Sequence, residues 1–361
     1  MSSSTFVTPK FPTVKNSLHS DLKNRVSAYF TQNNIRQTGG SRLLSKALFL
    51  IVSYVIIYLH LMVFKPVWWL ALIECAVLGI LTASIGFNIM HDGGHGSFSE
   101  NKTMNKIASW SASMLGVSQF MWNMKHNMIH HTYTNVDGVD DDIEIGIWMR
   151  MSPQQEKLKM HKYQHIYFYG LYMLMYFFWV FFADYKKYFT QKIGQFPLKK
   201  MSTTDHIQFW AVKIWHALAF IVLPIYIWGI VPFLIGFLVL SLVSGFILSI
   251  VFQLAHTVED TEFPIPDEAT HRLPDEFAAH QIKTTANFST GSKILSWFVG
   301  GLNFQVEHHL FPKVSHIHYP AINKIVIEVC KEHNLNYIEY PTLTSAIRAH
   351  IGFLKRMGTA A

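Results

Sequence analysis

Residues 67–95 read VWWLALIECAVLGILTASIGFNIMHDGGH and join an apolar run to a pair of histidines. The run Val67–Ile89 is long enough to cross about 30 Å of hydrocarbon at about 1.5 Å per residue. His91 and His95 follow it directly and, four residues apart on a continuing helix, share one face. An apolar helix that ends in paired imidazoles predicts a membrane protein, and it makes the pair candidate metal ligands if further histidines lie at the same membrane surface.

The composition agrees with a membrane protein. Of the 361 residues 50% are hydrophobic and 15% are charged, whereas about 25% are charged in a typical soluble domain. This balance excludes the disordered, collagen-like and coiled-coil classes. The net charge of +7 suits nucleic acid or an anionic membrane face, and the apolar runs favour the membrane and no nucleic-acid partner. Cys75 and Cys330 form no CxxC pair, which excludes a disulfide scaffold or a thiolate metal cage.

Five apolar runs have the length of a membrane span. They are Leu43–Phe64, Val67–Ile89, Ile166–Ala183, Ile207–Ile230 and Val231–Ala255. Lys65-Pro66 joins the first two, and Gly229 with Pro232 joins the last two, so each of these pairs predicts a tight transmembrane hairpin.

The third run differs, because Ile166–Ala183 has the aromatic density of a membrane interface. Residues 1–42, 91–165, 185–206 and 256–361 contain six, seven, five and nine Lys or Arg, whereas the hairpin turns contain one and none. The positive-inside rule places all four basic segments in the cytoplasm, which requires that Ile166–Ala183 does not span. We therefore predict an all-α integral membrane protein with four transmembrane helices in two hairpins, an interfacial helix and a cytoplasmic helical cap.

We expect three regions along the chain. These are an N-terminal cytoplasmic arm at 1–42, a membrane domain at 43–340 and a C-terminal tail at 341–361. Apolar residues at helical spacing predict a short amphipathic helix in the arm, which ends near Gly39-Gly40. These residues are Leu18, Leu22, Val26 and Phe30.

Further histidines follow the first pair in clusters. HNMIHH at 126–131 places His126 and His130 on one face of a helix, with His131 about 100° round. QVEHHLFP at 305–312 contains His308 and His309, and His256 ends the fourth predicted span. Since these positions emerge on one side of the membrane, we expect one shared site. Eight imidazoles exceed the four ligands of one zinc and suit two metal ions, of Fe, Zn, Cu or Ni.

Carboxylates surround these clusters. A metal-bound histidine usually donates its other N–H to an acceptor that fixes the ring, so some of these acids are expected in that role. They are Asp92, Asp140, Asp141, Asp142, Glu144, Glu259, Asp260 and Glu307. The candidates that we single out are Asp92, Asp141 and Glu307.

Taken together, the histidine boxes resemble the membrane fatty acyl desaturase superfamily from about Arg42 to Tyr340. The third box begins with Gln305, where many members have His, and this resembles the front-end, linoleoyl-CoA desaturase-like branch. Such enzymes insert a cis double bond between an existing one and the carboxyl end of an acyl chain. The sequence lacks the His-Pro-Gly-Gly motif of a fused cytochrome b-type domain, so a separate donor such as ferredoxin or a cytochrome is expected. The short arm resembles bacterial members, which implies a bacterial inner membrane with the site on its cytoplasmic side.

The resemblance implies a centre of two iron ions, with O₂ as co-substrate and no catalytic residue beyond the metal centre. Its implied ligands are His91, His95, His126, His130, His131, His256, His308 and His309. Gln305 takes the place of a ninth histidine, and its amide oxygen is expected to ligate iron weakly or to hold a ligating water.

Two other functions compete with this interpretation. A hydroxylase of lipids or alkanes uses the same histidine scaffold, and the sequence does not show where a bound chain lies. A non-catalytic metal-binding or transport protein would need polar residues along its spans. The helix interiors offer only His60, Glu74, Lys213 and His216, which disfavours transport. The sequence leaves open whether the acyl group is carried by CoA, by a phospholipid or by a carrier protein.

Overall fold

The computed structural model describes residues 7–15 and 17–360, and most of its regular structure is helical. The α-helices are α1 Leu18–Gln32, α2 Gly40–Phe64, α3 Trp68–Ile85, α4 His91–His95, α5 Lys102–Ser109, α6 Ser111–Met114, α7 Gln119–Trp122, α8 His131–Tyr133, α9 Gln164–Phe178, α10 Asp184–Thr190, α11 Thr203–Ala217, α12 Leu223–Trp228, α13 Ile230–His256, α14 Phe277–Thr284, α15 Lys293–Phe298, α16 Gln305–Leu310, α17 Tyr319–Glu332 and α18 Leu343–Thr359.

Shorter elements connect these helices. The π-helical segments are Gly86–Met90, Asn123–His130, Trp179–Ala183 and Leu218–Val222, and the 3₁₀ turns are Gly146–Trp148, Lys159–Tyr163 and His316–His318. The strands are β1 Lys192–Ile193, β2 Phe196–Pro197, β3 Asn287–Phe288 and β4 Glu339–Tyr340. β1 pairs with β2 in antiparallel fashion, and β3 pairs with β4 in parallel fashion.

Five helical segments of the described chain are long and apolar enough to cross a membrane. They are Gly40–Phe64, Trp68–His95, Lys159–Thr190, Thr203–Trp228 and Ile230–His256. Each of the five predicted apolar runs corresponds to one of these segments, with ends that differ by a few residues, so the expectation of a multi-pass membrane protein is confirmed. By its length and composition, the third segment, Lys159–Thr190, qualifies as a membrane span like the other four.

The two hairpins meet at their tips. Lys65 adopts a left-handed conformation after α2, and Gly229, with a φ of 81°, separates α12 from α13. The Trp228 indole N–H donates to the Leu61 carbonyl at 3.1 Å, and the Lys65 ammonium lies 5.7 Å from the Trp228 ring centroid. The tips therefore share one end of the helix bundle. The carboxyl ends of Trp68–His95 and Ile230–His256 lie at the other end, where their histidines are linked in one cluster through His308 and His309.

α13 is the central helix and packs closely against α3 and α9. A Cβ atom at Gly79 of α3 would lie 2.8 Å from the Leu240 carbonyl oxygen, and one at Gly245 would lie 2.3 Å from that of Met173. Small residues at these two contacts allow the helix backbones to approach, as is common between membrane helices. This packing fixes the end of α13, and with it His256, relative to the end of α3.

The first and last helices of the described chain both pack against other elements of the fold. The amphipathic helix predicted in the arm is confirmed as α1, whose four apolar side chains are buried in a cluster with Ile322 and Val326 of α17. α18, in the region expected to be a C-terminal tail, buries Phe353 and Leu354 against Phe168 of α9. Both termini therefore contribute to the packing around the histidine end of the bundle.

Candidate metal centre

The first histidine box is a single helical turn whose glycines are required by its surroundings. A Cβ atom at Gly93 would lie 2.5 Å from the backbone nitrogen of Ser109, and one at Gly94 would lie 2.2 Å from the Trp122 ring. Any larger side chain would push this turn away from the neighbouring helices. The glycines thus hold the box His91–His95 tightly against the segment that leads to the second box.

The second box lies at the end of a π-helical segment, Asn123–His130. A π-helix closes each hydrogen bond one residue later than an α-helix, so residues five apart lie closer to one face than they do in an α-helix. His126 and His131 therefore approach, with their Nε2 atoms 3.2 Å apart. The sequence analysis placed His131 about 100° from His130 on a regular helix, and the π geometry explains why all three imidazoles nevertheless reach one site.

All eight predicted histidines come together in the structure. His91, His95, His126 and His308 form one group, and His130, His256 and His309 form another, with the candidate ligand atoms of each group within 4.8 Å of one another. We call these the first and the second metal group. His131 lies between them and clusters with His308 and His309. Seven of the eight side chains are buried, and His95 is partly buried.

Unpaired nitrogen atoms show that this cluster fits metal ions. Within the described residues, six of the histidines have a buried ring nitrogen without a hydrogen-bond partner. These atoms are His95 Nε2, His130 Nε2, His131 Nδ1, His256 Nδ1, His308 Nε2 and His309 Nε2. Leaving a buried polar atom unpaired costs about 1–3 kcal/mol. Six unpaired nitrogen atoms in one cluster therefore require another partner. Metal coordination supplies it, and two groups of nitrogen donors suit two ions.

Burial keeps most of these rings in the form that binds metal. It lowers the pKa of His126, His131, His308 and His309 well below the ordinary value, and the neighbouring imidazoles lower it further. At neutral pH these four rings are therefore uncharged and have a lone pair to donate.

His130 is the exception, because it has a charged partner. Burial lowers the pKa of His130, but the carboxylates of Asp140 and Asp142 outweigh burial and raise the pKa above its ordinary value. Asp140 accepts from His130 Nδ1 at 3.0 Å, which leaves Nε2 facing the second metal group. A carboxylate that holds a ligand imidazole in this way also makes it a stronger donor to the metal.

Two uncharged side chains hold the histidines of the third box. His309 Nδ1 lies 2.8 Å from the amide oxygen of Gln281, and His308 Nδ1 lies 3.1 Å from the hydroxyl of Tyr319. Each contact leaves the Nε2 atom of the ring unpaired and directed into the cluster. The sequence analysis missed both partners. Thr134 adds a hydroxyl 3.2 Å from His309 Nδ1.

Gln305 lies beside the second metal group. Its side-chain nitrogen is 3.0 Å from His256 Nε2, and its buried oxygen has no partner among the described residues. A half-turn of an amide exchanges its oxygen and nitrogen, so either atom of Gln305 can face this group. The role of an oxygen donor to a metal or to a bound water stays a prediction for this residue.

The three carboxylates that the sequence analysis singled out, Asp92, Asp141 and Glu307, have no hydrogen bond to any of the eight clustered histidines among the described residues. Asp92 accepts from the Ser315 hydroxyl at 2.9 Å and lies 3.1 Å from His316 Nδ1. Asp141 pairs with Lys125 and Lys187, whereas its neighbour Asp140 contacts the imidazole of His130.

Glu307 is held by three hydrogen-bond donors behind the third box. They are the amides of Asn287 at 2.7 Å and Asn323 at 3.1 Å, and the hydroxyl of Tyr337 at 2.9 Å. Burial raises the pKa of Glu307, and these donors oppose that shift. Glu307 therefore ties the third box to α17 and β3.

Comparison with known proteins identifies the family. The sequence model of the family described as fatty acid desaturase matches residues 66–341. The sn-1 linoleoyl-lipid 6-desaturase of Synechocystis sp. is 37% identical over 347 residues, which are 94% of this chain and 95% of the relative. This chain belongs to the fatty acid desaturase family.

Other relatives carry related names. The sn-1 linoleoyl-lipid 6-desaturase of Arthrospira platensis is 35% identical over 93% of this desaturase and 91% of the relative. The acyl-lipid (8-3)-desaturase of Physcomitrium patens is 36% identical over 93% of this chain and 71% of the relative. The family resemblance is confirmed, and the chain is a membrane oxidoreductase that desaturates a fatty acyl substrate. The hydroxylase alternative gains no support.

Proposed function

We propose that this desaturase is a front-end acyl-lipid desaturase, which inserts a cis double bond between an existing double bond and the carboxyl end. The observation that carries the proposal is Gln305, which opens the third box and lies 3.0 Å from His256. The names of the relatives support it, since they denote linoleoyl-lipid 6-desaturases and an acyl-lipid (8-3)-desaturase. A linoleoyl lipid is therefore the first substrate to test.

We assign the metal centre to two iron ions. His91, His95, His126 and His308 would hold one ion, and His130, His256 and His309 the other, with His131 between them and Gln305 at the second. Iron supplies the reductive activation of O₂ when it is bound. Asp140, Gln281 and Tyr319 hold ligand rings in place, and the glycines of the first box keep that box against its neighbours.

The desaturation requires two electrons from outside the acyl chain. Each turnover converts –CH₂–CH₂–, O₂, two electrons and two protons into –CH=CH– and two molecules of water. Cys75 and Cys330 are both free and far apart in sequence, and the chain has no cysteine cluster for an iron–sulfur centre. We propose that a separate carrier, a ferredoxin or a cytochrome, delivers the electrons.

We further propose that four segments span the membrane and that Lys159–Thr190 does not. Contacts at both of its ends support this arrangement. Near its start the Gln164 amide oxygen accepts from the Arg150 backbone N–H at 2.9 Å, and near its end Lys187 lies 3.4 Å from Asp141. Arg150 and Asp141 both follow the second box, so both ends of the segment return to the cap. The active site would then face the cytoplasm, in a bacterial inner membrane.

Labelling tests this topology. Single cysteines at Lys65 and Lys200 should react differently with a membrane-impermeant maleimide added to intact cells. We expect labelling at position 65, in a hairpin tip, and none at position 200 until the cells are opened. Labelling of position 200 from outside would show that Lys159–Thr190 spans the membrane.

Product analysis tests the activity. The gene is expressed in a host of defined lipids that is fed linoleic acid, and new double bonds are located by gas chromatography with mass spectrometry. We expect a product two mass units lighter, with the new double bond on the carboxyl side of the existing ones. A product sixteen units heavier would indicate hydroxylation, and a double bond on the methyl side would contradict front-end chemistry.

A further inference from the structure

An exposed basic surface lies beside the first metal group. It consists of Arg36, Arg42 and Lys313, and we call it the basic face. The backbone N–H of Ser315 donates to the Gln37 carbonyl at 2.8 Å, so the segment with the two arginines runs along the segment that follows the third box. The arm thus adds its charge to that of the cap at one place.

One charge of this face has a partner. Arg36 lies 3.0 Å from Glu100, but both side chains are largely exposed, at 76% and 56%, so their attraction is weak. Arg42 and Lys313 have no ion pair among the described residues. The basic face therefore attracts a partner that carries carboxylates.

Two chains of contacts lead from this face to ligands of the first metal group. His316 Nδ1 lies 3.1 Å from Asp92, which directly follows His91. Tyr319, three residues further along, lies 3.1 Å from His308 Nδ1. Both connected histidines belong to the first metal group. The segment 313–319 therefore joins the exposed charge to the metal centre within a few residues.

The second metal group has different electrostatic surroundings. Lys125 lies 2.6 Å from Asp142, and Lys187 lies 3.4 Å from Asp141. With Asp140 these make three carboxylates against two ammonium groups next to His130. The two ammonium groups on this side are already paired with carboxylates, whereas Arg42 and Lys313 of the basic face have no ion pair among the described residues.

We infer that the basic face docks a small acidic one-electron carrier protein and that electrons enter the centre at the first metal group. This inference rests on the proposed function, since an external carrier is needed only if the chain uses electrons from outside. Two successive encounters supply the two electrons of each turnover, and the carrier is oxidised by one electron each time. The charges bring the carrier in, and the short path through segment 313–319 places it close to the metal.

Direct binding tests the docking surface. The full chain in nanodiscs is immobilised, and the Kd for a plant-type [2Fe–2S] ferredoxin is measured by biolayer interferometry. We expect R42E/K313E to weaken binding at least ten-fold at low salt, and the difference to shrink at high salt because the attraction is screened. The matched control is K199E/K200E, an equal charge reversal at exposed lysines on the proposed cytoplasmic side, which should stay within two-fold of the wild type.

Carbodiimide coupling adds a second readout that needs no activity. It joins a lysine amine to a carboxylate in direct contact, so we expect a cross-link between Lys313 and ferredoxin in the wild type. Equal Kd values for wild type and R42E/K313E, or cross-links confined to Lys199 and Lys200, would overturn the inference. Failure of the proposed function is distinguishable, because it would appear as absence of a new double bond in wild-type product while the binding result stands alone.

Discussion

The two metal groups of this desaturase differ in their donors and in what holds them. The first group offers four imidazoles, and its neighbour Tyr319 is uncharged. The second group offers three imidazoles, with Gln305 as the nearest substitute for a fourth, and its His130 is held by the buried carboxylate of Asp140. An amide oxygen is a weaker donor to iron than imidazole is. The second position is therefore expected to bind iron less tightly and to depend more on the side chains behind its ligands.

The largest effect is expected at His308, which belongs to the first group and also clusters with His131 and His309. His308→Ala should reduce turnover below detection, because it removes a nitrogen close to both positions. Product is measured by gas chromatography, and iron per chain by plasma mass spectrometry. His333→Ala, at an exposed histidine, is the control and should keep both iron ions and full activity. Normal turnover of His308→Ala would refute the assignment of both groups.

Gln305 gives the next largest effect and tests the second group alone. Gln305→Ile removes both polar atoms, so we expect activity to fall about 100-fold and about one iron ion per chain to be lost. Gln305→His restores an imidazole and should keep part or all of the activity, while Gln305→Glu adds a charge to the same shape. Full activity and two iron ions in Gln305→Ile would exclude any role for this residue at the metal.

The smallest effects are expected from the partners behind the ligands, and they should be unequal. Asp140→Asn removes the charge behind His130 and should weaken iron binding at the second group about ten-fold. Tyr319→Phe removes an uncharged partner of His308 and should have a smaller effect at the first group. Iron release is followed by competition with a chelator. Equal losses in the two variants would remove the proposed difference between the groups.

The sequence predicted that the eight histidines share one site, because spacing and chemistry coincide there, and their role as metal ligands stays a prediction. Paired histidines at the ends of apolar runs can be recognised without knowing which distant residues they contact. All eight come together in the structure. Gln305 was found for a similar reason, since it opens a box whose other members are histidines. The membrane-spanning candidates were predicted from the length of the apolar runs, and the amphipathic helix of the arm from the helical spacing of its apolar residues.

The side chains behind the ligands were much harder to predict. Gln281 is 28 residues from His309 in sequence and reaches it only because α14 packs against α16. Asp140 and Asp141 are adjacent, and sequence alone cannot tell which carboxylate turns towards His130. The π-helical segment around His126 was missed for a related reason, since no residue type marks a helix that shifts its hydrogen bonds by one position.

We propose that the chain holds two iron ions in unlike surroundings. Protein expressed with ⁵⁷Fe, purified in nanodiscs and reduced, can be measured by Mössbauer spectroscopy together with total metal analysis. We predict two iron ions per chain and two signals of equal area with distinct parameters, of which one changes in Gln305→His. A single iron ion, two indistinguishable signals, or zinc alone in an active preparation would contradict this account.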